Sequence, residues 1–199
     1  GLFSEQVEAA AVVSHLKRAA GRKPVHFHLF NPEPFVGACC ERYQVLQWLL
    51  TELWEKRQSR QEPLLYVEVG VFNGRTSFAL LERLPWLRAI LIDAFVGFPE
   101  NKRQVVQQME GFPGRVELLA GTSLEGAETL RRRGLLADLV FIDADHSFQG
   151  VGQDLWAWDS DLVRSSGVVA GHDFNWEHPG VTRAIAMWRE GWSLPFGPD

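Results

Sequence analysis

Short apolar segments alternate with amphipathic segments from about residue 64 to residue 190 of this 199-residue chain. The apolar runs predict strands, and the segments with a helical period predict helices. The predicted strands are 64–69, 87–93, 115–120, 137–143 and 167–172, and the predicted helices that follow them are 76–84, 102–109, 123–133, 148–163 and 181–190. Strands that alternate with helices favour a parallel sheet covered on both faces by right-handed crossovers. The sequence therefore predicts an α/β fold.

The first sixty residues lack this alternation and predict a helical extension. Apolar side chains follow a helical period over residues 4–20 and again over residues 41–57. We therefore expect an extension at 1–60 and an α/β domain at 61–199. After the last predicted helix only residues 191–199 remain, which is enough for one short strand. Either that edge of the sheet is bare, or another chain covers it, as in a homodimer, or the chain is truncated.

Charge and composition exclude several kinds of partner. The formal net charge of −5 gives no basic surface for nucleic acid or for an anionic membrane. No apolar run is long enough to span a bilayer. The two cysteines, Cys39 and Cys40, are adjacent and rarely form a disulfide in that arrangement, so no disulfide framework is expected. These features favour a soluble cytoplasmic protein, an expectation that concerns only the residues from Gly1 onward.

Polar residues follow every predicted strand. In an open sheet with helices on both faces, ligands bind outside the carboxyl ends of the strands, so these residues are the candidates for a site. They are Glu68 and Gly70 on the first strand, Asp93 on the second, Gly121 to Ser123 after the third, Asp143, Asp145 and His146 on the fourth, and His172 and Asp173 on the fifth. Five strands that all end in this way indicate one continuous rim.

The turn after the first strand has the composition of a ligand-binding loop. Gly70 and Gly74 allow a sharp turn and a close approach of the backbone to a ligand. The N–H groups at the start of the next helix are expected to be free to bind polar groups. Asp93 lies 23 positions after Gly70, the offset at which an acidic residue accepts hydrogen bonds from ribose hydroxyls. The pair predicts a cofactor that contains a nucleoside, whereas either feature alone is also typical of a plain strand-to-helix turn.

The residue two positions after Gly70, where the Gly-x-Gly pattern has its second glycine, narrows the choice of cofactor. A dinucleotide site normally has a glycine there, so that the pyrophosphate can rest against the backbone. This chain has Phe72, which counts against NAD or FAD, while Glu68 suits a cationic amine. A nicotinamide-dependent oxidoreductase stays open as an alternative, because it would use the same turn and the same Asp93.

The Glu-x-Gly-x-x-x-Gly pattern of residues 68–74 resembles the first motif of class I S-adenosylmethionine-dependent methyltransferases. Residues 140–148, with Asp143, Asp145 and His146, resemble the family that includes caffeoyl-CoA and catechol O-methyltransferases. They resemble the macrocin- and mycinamicin-type sugar O-methyltransferases more closely still. Residues 93–99 and 167–173 add to this likeness, which covers about residues 66–184. The resemblance implies a Rossmann-like sheet of strand order 3-2-1-4-5.

The resemblance also implies roles for particular residues. Asp143 and Asp173 would hold a divalent cation such as Mg²⁺, and His146 would be the general base, with Asp145 as the competing candidate. S-adenosylmethionine would be the methyl donor, and the acceptor would be a hydroxyl group of a small molecule. The residues expected to contact the cofactor are Glu68, Gly70, Phe72, Asn73, Gly74, Ser77, Asp93, Ala94, Phe95, Thr122, Ser123, Asp143 and Asp145.

One departure from the family pattern bears on the metal. Catechol-type relatives have an asparagine directly after the second metal aspartate, whereas this chain has Phe174. Asn175, His178 or water would then replace the third ligand, or the metal would be weakly bound or absent. A methyltransferase fold that is no longer catalytic and serves as an interaction module is the other alternative that this departure leaves open.

Overall fold

A computed structural model describes residues 11–15, 26–30, 41–57, 62–158 and 161–189 of the chain. Within these ranges there are seven strands and six helices. The strands are β1 (Ala11–His15), β2 (His26–Phe30), β3 (Leu64–Val69), β4 (Leu87–Asp93), β5 (Val116–Ala120), β6 (Ala137–Ile142) and β7 (Val163–Gly171). The helices are α1 (Arg42–Lys56), α2 (Arg75–Arg83), α3 (Pro99–Met109), α4 (Ser123–Arg133), α5 (Phe148–Ala157) and α6 (Pro179–Arg189). None of the described helices is long and apolar enough to cross a membrane.

The strands form one sheet in the order β1-β2-β7-β6-β3-β4-β5. Strands β3 to β7 are all parallel to their neighbours, and β3 lies between β4 and β6. Counted from β3, this is the order 3-2-1-4-5, so the predicted Rossmann-like core is confirmed. The order reverses direction at β3, which places the ends of β3, β4 and β6 around the point where such sheets bind ligands.

The N-terminal part of the chain differs from the prediction. Ala11–His15 was expected within a helix over residues 4–20, but it forms strand β1, antiparallel to β2. Strand β2 pairs in parallel with β7, with His26 opposite Val168 and Leu29 opposite Gly171. The helical prediction was wrong here because residues 11–15 pair with another strand, and such tertiary pairing overrides local propensity. The remainder of the predicted helix lies outside the described residues, and the division of the chain near residue 60 stays a prediction.

The pairing of β2 with β7 shows how the sheet edge beside the last parallel strand is covered. Because residues 191–199 leave little room for further strands, we left three alternatives for this edge: a bare edge, an edge covered by another chain, or a truncated chain. The edge of β7 is instead paired with β2, which comes from the opposite end of the chain. Its backbone N–H and C=O groups therefore have partners within the same molecule. No second chain is needed to cover that edge, and the homodimer stays an untested expectation.

The core has two halves, one on each face of the sheet. Alternate residues of β3, such as Val67 and Val69, pack with helices α4, α5 and α6, while Tyr66 on the other face packs with α1, α2 and α3. Burial on both faces explains why the strands read as continuous apolar runs. The predicted helix over residues 41–57 is confirmed as α1, whose Leu46, Leu49 and Leu50 are buried against the sheet.

Helix α5 is shorter than the prediction. We expected it to run to residue 163, but it ends at Ala157, and Val163 begins β7. The apolar residues between them, Trp158 and Leu162, belong to the buried core of the connection rather than to the helix. A buried helix and a buried strand joined by apolar residues cannot be separated by periodicity alone.

Candidate active site

The carboxyl ends of β3, β4, β6 and β7 are level with one another. Backbone hydrogen bonds continue the sheet just beyond the strands: Gly70 N–H donates to the Ile92 carbonyl at 2.9 Å, and Asp143 N–H donates to the Val69 carbonyl at 2.7 Å. His172 N–H donates in the same way to the Ile142 carbonyl at 3.2 Å. These bonds bring the polar residues that follow the strands to one edge of the sheet, as the sequence predicted.

Asp93 holds the turn after β3 rather than an open position. Its Oδ2 accepts hydrogen bonds from the N–H groups of Val71 and Phe72, both at 2.8 Å, and its Oδ1 accepts one from Phe95 at 2.6 Å. Phe72 and Phe95 both have positive φ, at 53° and 50°, a conformation that is strained for a bulky residue. The Asp93 carboxylate therefore stabilises two strained loops. A carboxylate has about four acceptor positions, so Asp93 keeps capacity for a ribose hydroxyl.

Several N–H groups of this turn, and that of Arg75 at the start of α2, are used within the protein. Besides the two held by Asp93, Gly74 N–H donates to the Val71 carbonyl at 2.9 Å, and Arg75 N–H donates to Asn73 Oδ1 at 3.2 Å. With Gly70 N–H on Ile92, most of the donors that a strand-to-helix turn usually offers are already used.

The two glycines serve packing within the protein. A Cβ on Gly70, where φ is +90°, would collide with the backbone carbonyl of Asp143. A Cβ on Gly74, where φ is +80°, would collide with the ring of Phe78. The predicted turn is present, but the reason for glycine differs from the expected approach to a ligand. At Gly70 the absence of a side chain lets the tips of β3 and β6 meet.

Glu68 is the one acidic residue of β3, and it is only 2% exposed. Its Oε2 accepts a hydrogen bond from the hydroxyl of Ser77, which is itself buried on α2. Burial raises the pKa of Glu68 to about 8, although Ser77 and the nearby Arg42 act in the opposite direction. Glu68 is therefore a largely protonated acid at neutral pH, placed at the bottom of a cleft.

That cleft has a volume of about 290 Å³ and lies between α1 and the turn after β3. The lining residues from the turn and strand ends are Glu68, Gly70, Val71, Phe72, Asn73, Arg75, Thr76 and Asp143, and those from the start of α1 are Glu41, Arg42 and Tyr43. Several predicted cofactor residues are thus brought together. Helix α1 closes one side, so the part of the chain without a recognisable motif forms part of the site.

Arg42 is the residue that sequence reasoning missed. Its Nη1 forms an ion pair with Asp143 Oδ2 across 101 positions of sequence. A neighbouring pair joins Arg75 Nη2 to Glu41 Oε1 at 2.8 Å. Nothing in the pattern of residues 41–57 marks Arg42, because a cation on the polar side of a helix is usually solvated. Only the fold places it above Asp143.

Asp143, His146 and Asp173 form a compact cluster beside the cleft. One potential ligand atom from each lies within 4.8 Å of the others. His146 Nε2 is 2.8 Å from Asp173 Oδ2 and 3.5 Å from Asp143 Oδ1, and His172 Nδ1 is 2.8 Å from Asp173 Oδ1. The sequence predicted that the two aspartates would meet, and the structure brings them together around the same imidazole.

The carboxylates change the proton affinity of this imidazole. The nearby carboxylates of Asp143 and Asp173 raise the pKa of His146 to about 10, despite partial burial. Burial alone would raise the pKa of Asp173, but His146 and His172 hold it below its usual range. This arrangement therefore favours the protonated imidazole of His146. The imidazolium and the Arg42 guanidinium together balance the two aspartates.

Asp145 and the residues after Asp173 face other partners. Asp145 Oδ1 accepts from Ser147 N–H at 2.8 Å, and its Oδ2 accepts from the Ser147 hydroxyl at 2.9 Å, at the N-terminus of α5. Asn175 Oδ1 accepts from the N–H groups of Glu177 and His178 and so closes its own turn. Phe174 packs against the core. Among the described histidines, cysteines and carboxylates, the group within reach of one point is Asp143, His146 and Asp173.

The remaining predicted cofactor residues lie along the tips of β4 and β5. Ala94 is exposed, and Phe95 is buried beneath the loop that Asp93 holds. Thr122 caps α4 by accepting from Glu125 N–H at 3.3 Å. The hydroxyl of Ser123 accepts from the indole N–H of Trp158 at 2.8 Å, so it is occupied in a structural contact.

A larger cavity lies at the opposite end of the sheet. It has a volume of about 610 Å³ and is lined by residues near the amino ends of β3, β4 and β5, among them Leu65, Arg88 and Val116. Size alone would favour it as a binding site. The cluster of Asp143, His146 and Asp173 lies at the other end of the sheet, and parallel α/β sheets bind their ligands at the carboxyl ends of the strands. We therefore assign the candidate site to the smaller cleft.

Comparison with known proteins identifies a family. A family model described as a methyltransferase domain matches residues 67–174, which is more than half of the chain. The match begins in β3 and ends directly after Asp173, so it includes the glycine turn, Asp93 and the cluster. A comparison with curated proteins gives no match.

Solved structures with the same fold include several methyltransferases. CalS11, a TDP-rhamnose 3′-O-methyltransferase of calicheamicin biosynthesis, is 19% identical with a TM-score of 0.56, over 85% of this chain and 81% of that chain. TomG, an O-methyltransferase from Streptomyces achromogenes solved with S-adenosylmethionine, is 24% identical with a TM-score of 0.52, over 78% and 73%. An O-methyltransferase from Bacillus cereus solved with S-adenosylhomocysteine is 17% identical with a TM-score of 0.54, over 78% and 72%. At these identities the likeness concerns the fold.

The buried state of Glu68 gives a prediction about stability and pH. A carboxyl group whose folded pKa lies above its unfolded value stabilises the fold at low pH, and this contribution is lost as pH rises through the folded pKa. Between the ordinary value near 4.5 and about 8, Glu68 should lower the free energy of unfolding as pH rises. The slope is at most about 1.4 kcal/mol per pH unit. Glu68→Gln cannot ionise and should lack this slope.

Urea denaturation at several values between pH 5 and pH 8 measures the effect. The stability of the wild type relative to Glu68→Gln should fall steadily over this range. The exposed Glu110→Gln variant is the matched control and should run parallel to the wild type. Parallel curves for Glu68→Gln and the wild type would show that Glu68 is not held protonated by the fold.

Proposed function

Since the chain belongs to the methyltransferase family, we propose that it transfers the methyl group of S-adenosylmethionine to a hydroxyl oxygen of a small molecule. The observation that carries this proposal is the position of the cleft, with Glu68 and Asp143 in its lining and the Asp143, His146 and Asp173 cluster beside it. The family establishes methyl transfer, and the acidic cluster next to the cleft favours an oxygen acceptor.

The charges of the cleft suit this donor. S-adenosylmethionine supplies a methyl group already activated on a positive sulfur, and it also carries an ammonium group. The described lining includes three acids, of which Glu41 is paired with Arg75 and Asp143 with Arg42, so Glu68 is the acid left to meet a positive group. An ammonium placed against Glu68 would favour its ionised form and offset the cost of burial. Asp93 would accept a hydrogen bond from the ribose through its remaining acceptor capacity.

The cluster also fits a divalent cation. Two carboxylates within reach of one point are the hard oxygen donors that Mg²⁺ prefers. A cation held by Asp143 and Asp173 would supply Lewis acidity that favours the deprotonated form of an acceptor hydroxyl. Because both aspartates are only slightly exposed, with side-chain exposures of 11% and 18%, their orientation is largely fixed by the protein.

His146 is proposed as the general base for the acceptor. Its side chain is 39% exposed, while its buried Nε2 faces the two aspartates. A base must be neutral, whereas the described pairing with Asp143 and Asp173 keeps the imidazole protonated. The proposed role therefore requires a change in this pairing when the site is filled. His146 cannot accept a proton through the same nitrogen that binds a metal, so the two roles exclude each other.

An apolar wall beside the cleft bears on the acceptor. Phe72 and Phe98 are 55% and 54% exposed, and their rings meet edge to face at 5.4 Å. Exposed aromatic pairs next to a polar cleft suit a ligand with one apolar face and one polar edge. We propose an acceptor of this kind, such as a phenol or a sugar attached to an apolar group.

Calorimetric titration with S-adenosylhomocysteine tests the proposed function. We expect one binding site per chain, because the product cofactor carries the same nucleoside and amino-acid groups as the donor. Parallel titrations with NADH should show no binding, since Phe72 occupies the position where a pyrophosphate would need a glycine. Binding of NADH instead of S-adenosylhomocysteine would favour an oxidoreductase, and binding of neither would favour an interaction module.

Titration with Mn²⁺ tests the roles within the cluster, with bound ion detected by electron paramagnetic resonance. Asp173→Asn should lower Mn²⁺ affinity at least about tenfold, because it removes a charged ligand. His146→Gln should change the Mn²⁺ affinity less than about threefold, because the proposed base does not bind the ion. The exposed Glu177→Gln variant controls for loss of one negative charge nearby. An equal loss in His146→Gln and Asp173→Asn would make His146 a ligand and leave Asp145 as the candidate base.

A further inference from the structure

We propose that Arg42 binds the carboxylate at the amino-acid end of the cofactor, and that its guanidinium exchanges Asp143 for this carboxylate when the cofactor enters the cleft. The inference rests on the proposed function, because it takes S-adenosylmethionine or its product as the ligand. It assigns a binding role to a helix that lies outside the residues matched by the family.

A carboxylate in this cleft needs donors, and the turn after β3 has few left. The N–H groups of Gly70, Val71, Phe72, Gly74 and Arg75 all donate to acceptors within the protein. Two of these bonds go to Asp93, whose charge would in addition repel a second carboxylate placed on the same N–H groups. An anion placed on these five N–H groups would therefore have to displace hydrogen bonds within the protein.

Two cations line the described part of the cleft, Arg42 and Arg75. Arg75 is 70% exposed and is held by Glu41 at 2.8 Å, so it points to the rim of the cleft. Arg42 is 38% exposed and lies over Asp143, deeper in the cleft and close to Glu68. A ligand whose amino-acid ammonium lies near Glu68 would place the carboxylate, which is attached to the same α-carbon, within the same region. Arg42 is the cation better placed to meet it.

The guanidinium of Arg42 has unused capacity. It carries five N–H donors, of which Nη1 meets Asp143. A carboxylate can accept two parallel hydrogen bonds from such a group, an arrangement that lysine cannot reproduce. Asp143 and the cofactor carboxylate are chemically equivalent partners for Arg42. Exchange between them keeps the guanidinium paired and releases Asp143 toward the cluster.

Helix α1 holds Arg42 in place. Leu46, Leu49 and Leu50 are buried against the sheet, and Trp54 stacks on Trp86 with ring centroids 4.7 Å apart. At the other end Glu41 and Gln44 form a capping box that fixes the first turn. A cation on a fixed helix end loses little freedom when it binds, which favours affinity.

The test compares two ligands and two variants by calorimetric titration. S-adenosylhomocysteine has the amino-acid end, whereas methylthioadenosine keeps the adenosine and the sulfur but lacks the carboxylate. Arg42→Gln should lower the affinity for S-adenosylhomocysteine by about tenfold or more, the usual effect of losing a hydrogen-bonded charge pair. Its affinity for methylthioadenosine should stay within about twofold, which also shows that the variant is folded. Lys56→Gln, at the exposed far end of the same helix, should change neither.

Each other outcome contradicts the proposal. An unchanged affinity of Arg42→Gln for S-adenosylhomocysteine would exclude Arg42 as the carboxylate partner while leaving the proposed function intact. An equal loss for both ligands would assign Arg42 a purely structural role. If the wild type bound neither ligand, both the proposed function and the role of Arg42 would be wrong.

Discussion

Asp143 is the residue on which the site depends. Its N–H donates to Val69 on β3, and its carbonyl occupies the space that a side chain on Gly70 would need. Its carboxylate contacts Arg42 of α1 and lies 3.5 Å from His146. One residue at the tip of β6 thus joins the central strand, the N-terminal helix and the acidic cluster. The glycine turn and the cluster are parts of a single arrangement because both are built around Asp143.

Several acidic residues lie close together at the carboxyl ends of the strands, and their charges are compensated in different ways. Asp93 is satisfied by three backbone N–H groups, and Glu68 is held protonated by burial. Asp143 and Asp173 are balanced by Arg42, His146 and His172. Unpaired like charges at this spacing would destabilise the fold, so each device contributes to stability. The same arrangement allows the cleft to bind a positively charged ligand. Such a ligand can replace the proton on Glu68 or the Arg42 guanidinium beside Asp143.

The parts of the structure that depend on local pattern could be predicted from the sequence. The strands at 64–69 and 87–93 and the helix at 123–133 have the predicted bounds, because apolar runs and capping residues are local signals. The meeting of Asp143 with Asp173 follows from the parallel topology, which places the ends of neighbouring strands side by side. The pattern of residues 93–99 and 140–148 also predicted that the chain belongs to a methyltransferase family, and the match to a methyltransferase domain confirms this prediction.

Features that depend on distant pairing could not be predicted. Ala11–His15 forms a strand because of its partner β2, and β2 in turn depends on the free edge of β7. Arg42 meets Asp143 only because α1 packs on one face of the sheet with its first turn at the carboxyl ends of the strands. The raised pKa of His146 needs both aspartates within reach, and the glycine at position 70 needs the carbonyl of Asp143. None of these distances is encoded in the spacing of residues along the chain.

A crystal structure of the protein grown with S-adenosylhomocysteine tests the central claim most directly. The account predicts the ligand in the cleft between α1 and the turn after β3, with its ribose beside Asp93 and its amino-acid end between Glu68 and Arg42. Electron density for the ligand in the larger cavity at the amino ends of the strands would contradict it.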